Sequence, residues 1–233
     1  MHAEPAPIIP ALDTSDPVRA TAWAEALAPH CAFLKLGLEF FVANGPGAVA
    51  AITQRPVFLD LKFHDIPNTV AGAVRSVLPI RPALLTIHAS GGAAMIAAAR
   101  KAAEQAGDTR PKVLAVTVLT SLDAEALHQT GVAGGTRQQV LRLARLAIDS
   151  GADGLVCSPQ EVALLRDALG DAPLLVVPGI RPAGSAGDDQ ARTRTPAEAM
   201  RAGASYLVIG RPITGAADPA RAAAEIAAEI RAG

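Results

Sequence analysis

The sequence predicts a single (β/α)8 barrel of the TIM type filling residues 1–233. Three observations predict it. Eight short β-rich runs alternate with alanine-rich helical stretches from end to end. Each run is followed by a helical stretch, which favours a parallel sheet with crossover helices. The length, 233 residues, is close to the ~250 that such a barrel typically needs. A doubly wound open sheet shares the alternation and is the competing architecture. Eight units with no composition break and no low-complexity linker favour closure in one domain.

The elements follow in order. Strand one is read at 8–13, and Asp16-Pro17 then places an N-cap before a first-turn proline, announcing a helix at 17–28. Strand two is 33–37 with a helix at 39–52, strand three 57–63 with a helix at 67–78, and strand four 84–89 with a helix at 93–106. Strand five, 113–119, is separated from its helix at 137–150 by a long loop, 120–136. Strand six is 154–158, where Ser158-Pro159 reads as a second cap-and-proline signal for a helix at 159–169. Strand seven is 174–179. The loop after it, 180–195, is rich in Gly, Arg and Asp, and loops of this length commonly serve as functional lids. Thr195-Pro196 starts the helix at 196–202, strand eight is 206–210, and Asp218-Pro219 starts the closing helix at 218–231.

Half the residues are hydrophobic but only 3% are aromatic. The core is therefore expected from Val, Ile, Leu and Ala, as in parallel sheets covered by helices. A net charge of -1 makes no electrostatic case for nucleic acid or an anionic membrane. No apolar run reaches the ~18 residues of a membrane span, and residues 1–10 do not read as a secretory signal. Two cysteines, Cys31 and Cys157, suggest no disulfide framework and fit a reducing cytoplasm. Cys157 sits in an apolar run and is expected to be a buried, inert thiol.

The informative residues are charges where core strands should be apolar. Catalytic groups of such barrels come from the carboxyl ends of the strands. Strand one ends in Asp13, strand two carries Lys35, and strand three carries Asp60 and Lys62 with Asp65 just beyond. Asp60 and Lys62 are two apart, so an extended strand points both to one face. Charges there are tolerated only when paired and hydrogen-bonded. Five alternating charges on three adjacent strands can form a closed network, a better explanation than one structural ion pair. His88 ends strand four and is at least as well explained as a structural histidine as a site residue. No His/Cys/Asp/Glu spacing resembles a zinc site, no Ser–His–Asp order stands out, and no glycine-rich nucleotide loop is present. No metal and no organic cofactor is therefore expected. An anion site is expected beyond strands seven and eight, where barrels frequently bind phosphate. Pro178-Gly-Ile-Arg181 and Gly210-Arg211 place two arginines after adjacent strands, and arginine offers a bidentate fork to phosphate.

These residues carry a resemblance. The segment Asp60-Leu-Lys62-Phe-His-Asp65-Ile66-Pro-Asn-Thr69 resembles the signature of orotidine 5'-phosphate decarboxylases. So do Ala-Leu-Asp13, Lys35-Leu-Gly, Val-Leu-Thr120-Ser, Pro178-Gly-Ile-Arg181-Pro, Gln190 and Ile-Gly210-Arg211-Pro-Ile, in family order over nearly the whole chain. The resemblance implies cofactor-free decarboxylation of orotidine 5'-monophosphate to uridine 5'-monophosphate, in pyrimidine nucleotide synthesis. It implies that Lys62 donates a proton to ring carbon 6 and that Asp60 stands beside the departing carboxylate. Lys35 and Asp13 would contact the ribose side, Thr120 and Gln190 the pyrimidine or phosphate, and Arg211 the phosphate. The matched motifs also bring Ile66, Pro178, Arg181 and Gly210 into the substrate-binding set, and Asp65 with Lys35 into the catalytic one. The family is homodimeric, which implies that Asp65 and Thr69 reach the neighbouring subunit's site.

Two other readings remain open. One is a Mg²⁺-dependent sugar-phosphate decarboxylase or aldolase of the same barrel group, in which a second-strand glutamate ligates the metal; Lys35 stands there and would repel a dication. The other is a non-catalytic scaffold, which would not require the charges or the phosphate site.

Overall fold

A computed structural model describes residues 5–182 and 194–232. Eight strands pair in parallel throughout: β1 (Ile8–Pro10), β2 (Leu34–Gly37), β3 (Val57–Phe63), β4 (Leu84–His88), β5 (Lys112–Val116), β6 (Gly154–Val156), β7 (Leu174–Val177) and β8 (Tyr206–Ile209). Their order is β1-β8-β7-β6-β5-β4-β3-β2. A parallel bridge between Ala11 and Lys35 joins β1 to β2, and the Leu12 N–H donates to the Lys35 carbonyl at 3.0 Å. The sheet thus closes, and the open doubly wound alternative is excluded.

The helices are α1 (Pro17–Leu27), α2 (Leu38–Ala50), α3 (Pro67–Val77), α4 (Ala93–Ala103), α5 (Ala124–Gln129), α6 (Thr136–Asp149), α7 (Val162–Leu169), α8 (Pro196–Arg201), α9 (Arg211–Thr214) and α10 (Pro219–Ala232). Three of the four expected caps form. The Asp16 carboxylate accepts from the Val18 and Arg19 N–H groups, Asp218 accepts from the Arg221 N–H, and Thr195 with Glu198 makes a reciprocal capping box. The fourth does not. Residues 159–161 form a turn, α7 starts at Val162, and the Glu161 carboxylate folds back to accept from the Ser158 N–H at 2.8 Å. A second difference lies in 120–136, which holds the short helix α5 capped by Asp123. A third is a break inside α2, where Gly45 takes φ 74° before Pro46, a residue that cannot continue the backbone ladder.

Alternation along the strands builds two cores. Ile9, Phe58, Leu84, Leu114 and Val176 fill the barrel interior with Phe33, Tyr206 and Val208 around them. The Phe33 and Tyr206 rings meet edge to face at 5.1 Å. Their neighbours Ile8, Leu34, Leu59 and Leu85 point outward and pack in the larger core that includes Val74, Ile96, Val140 and Leu165 of the helices. The period of two then decides the site. Two residues beyond Phe33, Phe58 and Leu84 stand Lys35, Asp60 and Thr86, so these polar groups lie on the interior face above the apolar plug.

A separate polar cluster ties the amino-terminal end of the sheet. Asp153, just before β6, accepts two hydrogen bonds from Arg110 at 2.8 Å, one from Arg100 at 3.0 Å and one from the Val113 N–H at 2.9 Å. Burial alone would raise the Asp153 carboxyl, but hydrogen bonds from Arg110 and Val113 and the arginine charges outweigh it and hold it below its ordinary value. That end of a barrel serves stability rather than chemistry.

Candidate active site

At the carboxyl ends of the strands opens a cleft of about 300 Å³. Asp13, Lys35, Asp60, Lys62, Thr120, Pro178, Arg181, Gly210 and Arg211 line it, with Phe58, Val116, Val156 and Val208 as its apolar floor and walls. Nine of the sequence-derived residues are thus brought together. Asp65, Ile66 and Thr69 lie outside that lining and are exposed, and Gln190 lies outside the described residues.

Four of the five charges form a chain. Lys35 Nζ stands 2.9 Å from Asp13 Oδ1 and 3.6 Å from Asp60 Oδ2. Lys62 Nζ donates to both Asp60 oxygens at 2.8 Å. Within the chain the expected closed network of five does not form. Asp65 makes no ion pair among the described residues, and its carboxylate instead accepts from the Ile66 N–H. The reason is position, since Asp65 is past the end of β3 and facing solvent. Side-chain exposure falls from 56% at Asp13 to 10% at Lys35 and 11% at Asp60, then rises to 34% at Lys62. Burial by itself would raise the Asp60 carboxyl. The Lys35 and Lys62 charges, with hydrogen bonds from Lys62 and Thr86, outweigh it and keep Asp60 below the usual carboxylate range.

Lys62 reaches this position by a route that alternation does not describe. Its φ is 51°, in the left-handed region. The pairing of β3 with β4 slips there: Leu59 faces Leu85 but Phe63 faces Ile87, so β3 carries extra residues in a bulge. A non-glycine residue held this way costs about 1–3 kcal/mol and persists only where its surroundings hold it, commonly at functional sites. Here the Lys62 N–H donates to Thr86 Oγ1 at 2.9 Å, and the Thr86 hydroxyl donates to Asp60 Oδ1 at 2.9 Å. Thr86 is fully buried. Sequence reasoning passed over it; the available signal was a hydroxyl two residues beyond an interior leucine.

Gly37 ends β2, two residues beyond Lys35. A Cβ there would come within 3.2 Å of Lys35 Nζ, so the missing side chain leaves room for the Lys35–Asp13 pair. At Gly210 a Cβ would project to ordinary contact with Ala11 and Asp13 at the cleft. The backbone bridge between Ile180 and Arg194, with the Arg181 N–H donating to the Arg194 carbonyl, pins the base of the long loop beside Arg181. His88 is half-buried with its ring 5.3 Å from that of His64. Burial, then the His64 and Lys62 charges, hold it below the ordinary histidine value against a smaller effect of Asp60. Cys157 lies at the cleft floor, where burial pushes its thiol up; burial likewise raises Cys31 to about 12 against the opposing charge of Arg55. Both are inert thiols in this state.

The barrel agrees with comparisons against known proteins. Residues 6–226 match the Orotidine 5'-phosphate decarboxylase / HUMPS family. The chain belongs to this family. The orotidine 5'-phosphate decarboxylase of Gluconobacter oxydans (strain 621H) is 57% identical over 227 residues, covering 96% of each chain. That of Anaeromyxobacter sp. (strain K) is 57% identical over 225 residues, 96% of this chain and 97% of the relative. Among solved structures, orotidine 5'-phosphate decarboxylase from Lactobacillus acidophilus superposes with a TM-score of 0.86 at 38% identity, covering 97% of this chain and 99% of that one. Among the described residues, no helix is long and apolar enough to cross a membrane.

Proposed function

We infer that this protein is an orotidine 5'-phosphate decarboxylase, forming uridine 5'-monophosphate in pyrimidine nucleotide synthesis. The observation that carries the reading is the Asp13–Lys35–Asp60–Lys62 chain in one cleft with Arg181 and Arg211, within a chain of this family.

Loss of carbon dioxide leaves an electron pair on the ring carbon, and fixed charge must stabilise it. In this proposal the Lys62 ammonium supplies that charge and then donates its proton to the carbon. Asp60 holds the ammonium by two hydrogen bonds and stands beside the departing carboxylate. Lys35 and Asp13 take the ribose side, Thr120 and Gln190 the pyrimidine or phosphate, and Arg181 and Arg211 the phosphate, with Pro178 and Gly210 shaping its approach. Binding energy from the phosphate, remote from the reacting carbon, is then available to close the site and exclude water.

The chemistry as proposed runs on side chains alone. The four charges of the chain sum to zero, since two ammoniums already neutralise Asp13 and Asp60. A donor set so neutralised suits an anionic substrate better than a dication, which disfavours the Mg²⁺-dependent alternative. The purified protein should convert orotidine 5'-monophosphate at the same rate before and after exhaustive chelation. Loss of turnover with chelator, restored by Mg²⁺, would overturn the assignment.

The proposal includes a homodimer with shared sites, in which Asp65, Ile66 and Thr69 serve the partner's cleft. Its support is their exposure outside their own cleft, with apolar Ile66 66% exposed, alongside exposed Leu38 and Val42 on α2. A reducing, cytoplasmic setting is also part of the reading, supported by the two buried, unpaired cysteines.

A further inference from the structure

We propose that Thr86 is a positioning residue for the reaction: its buried hydroxyl ties the left-handed backbone at Lys62 to the Asp60 carboxylate and so sets where the Lys62 ammonium stands. The proposal rests on the decarboxylase reading above.

A hydroxyl has one proton and two lone pairs, and both kinds of capacity are engaged here. Thr86 donates to Asp60 Oδ1 and accepts from the Lys62 N–H, each at 2.9 Å. Lys62 Nζ donates to that same Oδ1 at 2.8 Å. The main chain and the side-chain tip of one lysine are therefore tied to a single carboxylate oxygen by two routes, which closes a ring of contacts. The ring spans the place where β3 slips against β4 and where Lys62 has φ 51°. Thr86 is fully buried, so water does not readily replace the hydroxyl. Without it the Lys62 N–H and Asp60 Oδ1 each lose a partner, and the backbone pairings of β3 with β4 that flank the slip, at Leu59 and at Phe63, do not reach the carboxylate.

The position asks for packing as well, which makes the two roles separable. Valine keeps the branched shape of threonine and removes the hydroxyl; serine keeps the hydroxyl and removes the methyl. A packing role predicts that Thr86→Val is harmless and Thr86→Ser is not. A positioning role predicts the reverse. It also predicts a loss in kcat rather than KM, because Thr86 is not in the cleft lining and the phosphate-side arginines are untouched.

The test is steady-state kinetics on orotidine 5'-monophosphate for the wild-type protein, Thr86→Val and Thr86→Ser, with a thermal melt of each. Thr86→Val should lower kcat about ten-fold with KM within about three-fold, as loss of a buried hydrogen bond felt mainly in the transition state would do. Thr86→Ser should stay within about three-fold of wild type. A Thr86→Val kcat within about three-fold of wild type, or a serine variant as slow as the valine one, would overturn the proposal. Should Thr86→Val fail to fold, Thr86→Ala replaces it under the same thresholds. A wild-type protein inert toward this substrate would overturn the decarboxylase reading itself, and this proposal with it.

Discussion

Replacing Lys62 with alanine separates what the ammonium does for the fold from what it does for the reaction. Lys62 gives Asp60 two charge-assisted hydrogen bonds at 2.8 Å. Such bonds contribute about 1.5–3 kcal/mol each when buried. Lys62 is a third exposed, however, while Asp60 keeps Thr86 and the Lys35 charge at 3.6 Å. Water can take up part of the loss, so the net cost to stability should be about 1–2 kcal/mol, or about 2–8 °C in Tm for a domain of this size. The effect on turnover should be far larger. A general acid contributes about 10²–10⁴-fold and fixed charge at the developing anion about 10²–10³-fold, so kcat should fall about 10⁴–10⁷-fold. Release of radiolabelled carbon dioxide from carboxyl-labelled substrate measures this. Lys62→Arg retains the positive charge near Asp60 but does not readily surrender a proton; it should melt near wild type and turn over near the alanine variant. The acid side provides a further check. Asp60 is held below its ordinary value, so its ion pairs contribute stability above about pH 4 and lose it as pH falls through the lower folded value. Without Lys62 that folded value rises, and acid unfolding should begin at a higher pH than in the wild type. A Lys62→Ala protein retaining more than about one part in a hundred of wild-type kcat would refute the assignment of Lys62 as proton donor.

Other perturbations probe the remaining parts. Arg211→Ala should cost about 2–5 kcal/mol in kcat/KM for the nucleotide and leave activity on the phosphate-free nucleoside unchanged; equal losses on both would show a structural role. Asp153→Ala removes four hydrogen bonds from the far end of the barrel and strands the buried Val113 N–H. The partly exposed arginines can be rehydrated, so it should lower stability by about 2–4 kcal/mol and leave kcat/KM unaltered well below Tm, and a loss of activity without loss of Tm would contradict that division of labour. If the proposed homodimer with shared sites holds, the Lys62→Ala and Asp65→Ala proteins should each be nearly inactive. Mixing them under subunit exchange should recover activity, because one site of the heterodimer then holds an intact Lys62 and an intact partner Asp65. Verified heterodimers as inactive as their parents would end the shared-site reading.

Much of this protein was legible along the chain because its determinants are local or periodic. Apolar runs of strand length, each followed by an alanine-rich helical stretch, specify a parallel sheet, and Asp16-Pro17, Thr195-Pro196 and Asp218-Pro219 mark helix starts through contacts within three residues. Charges at Lys35, Asp60 and Lys62 stood out because an interior strand otherwise admits only apolar side chains. Ser158-Pro159 carries the same dipeptide signal, yet the chain turns through 159–161 before α7, and the local bond is the one that the Glu161 carboxylate accepts from the Ser158 N–H, which a two-residue rule does not reach. What only the tertiary structure decided are relations between strands. The left-handed turn at Lys62 exists because β3 slips against β4, a property of the pairing and of neither strand alone. Thr86 joins Asp60 from 26 residues away, and Arg100 and Arg110 converge on Asp153 from 53 and 43 residues away. Asp65 sits three residues from Lys62 yet outside the charge chain, because the strand ends between them and turns the chain toward solvent. Periodicity can assign a face, but register, burial depth and the second partner of a buried group arise only when distant segments are packed against one another.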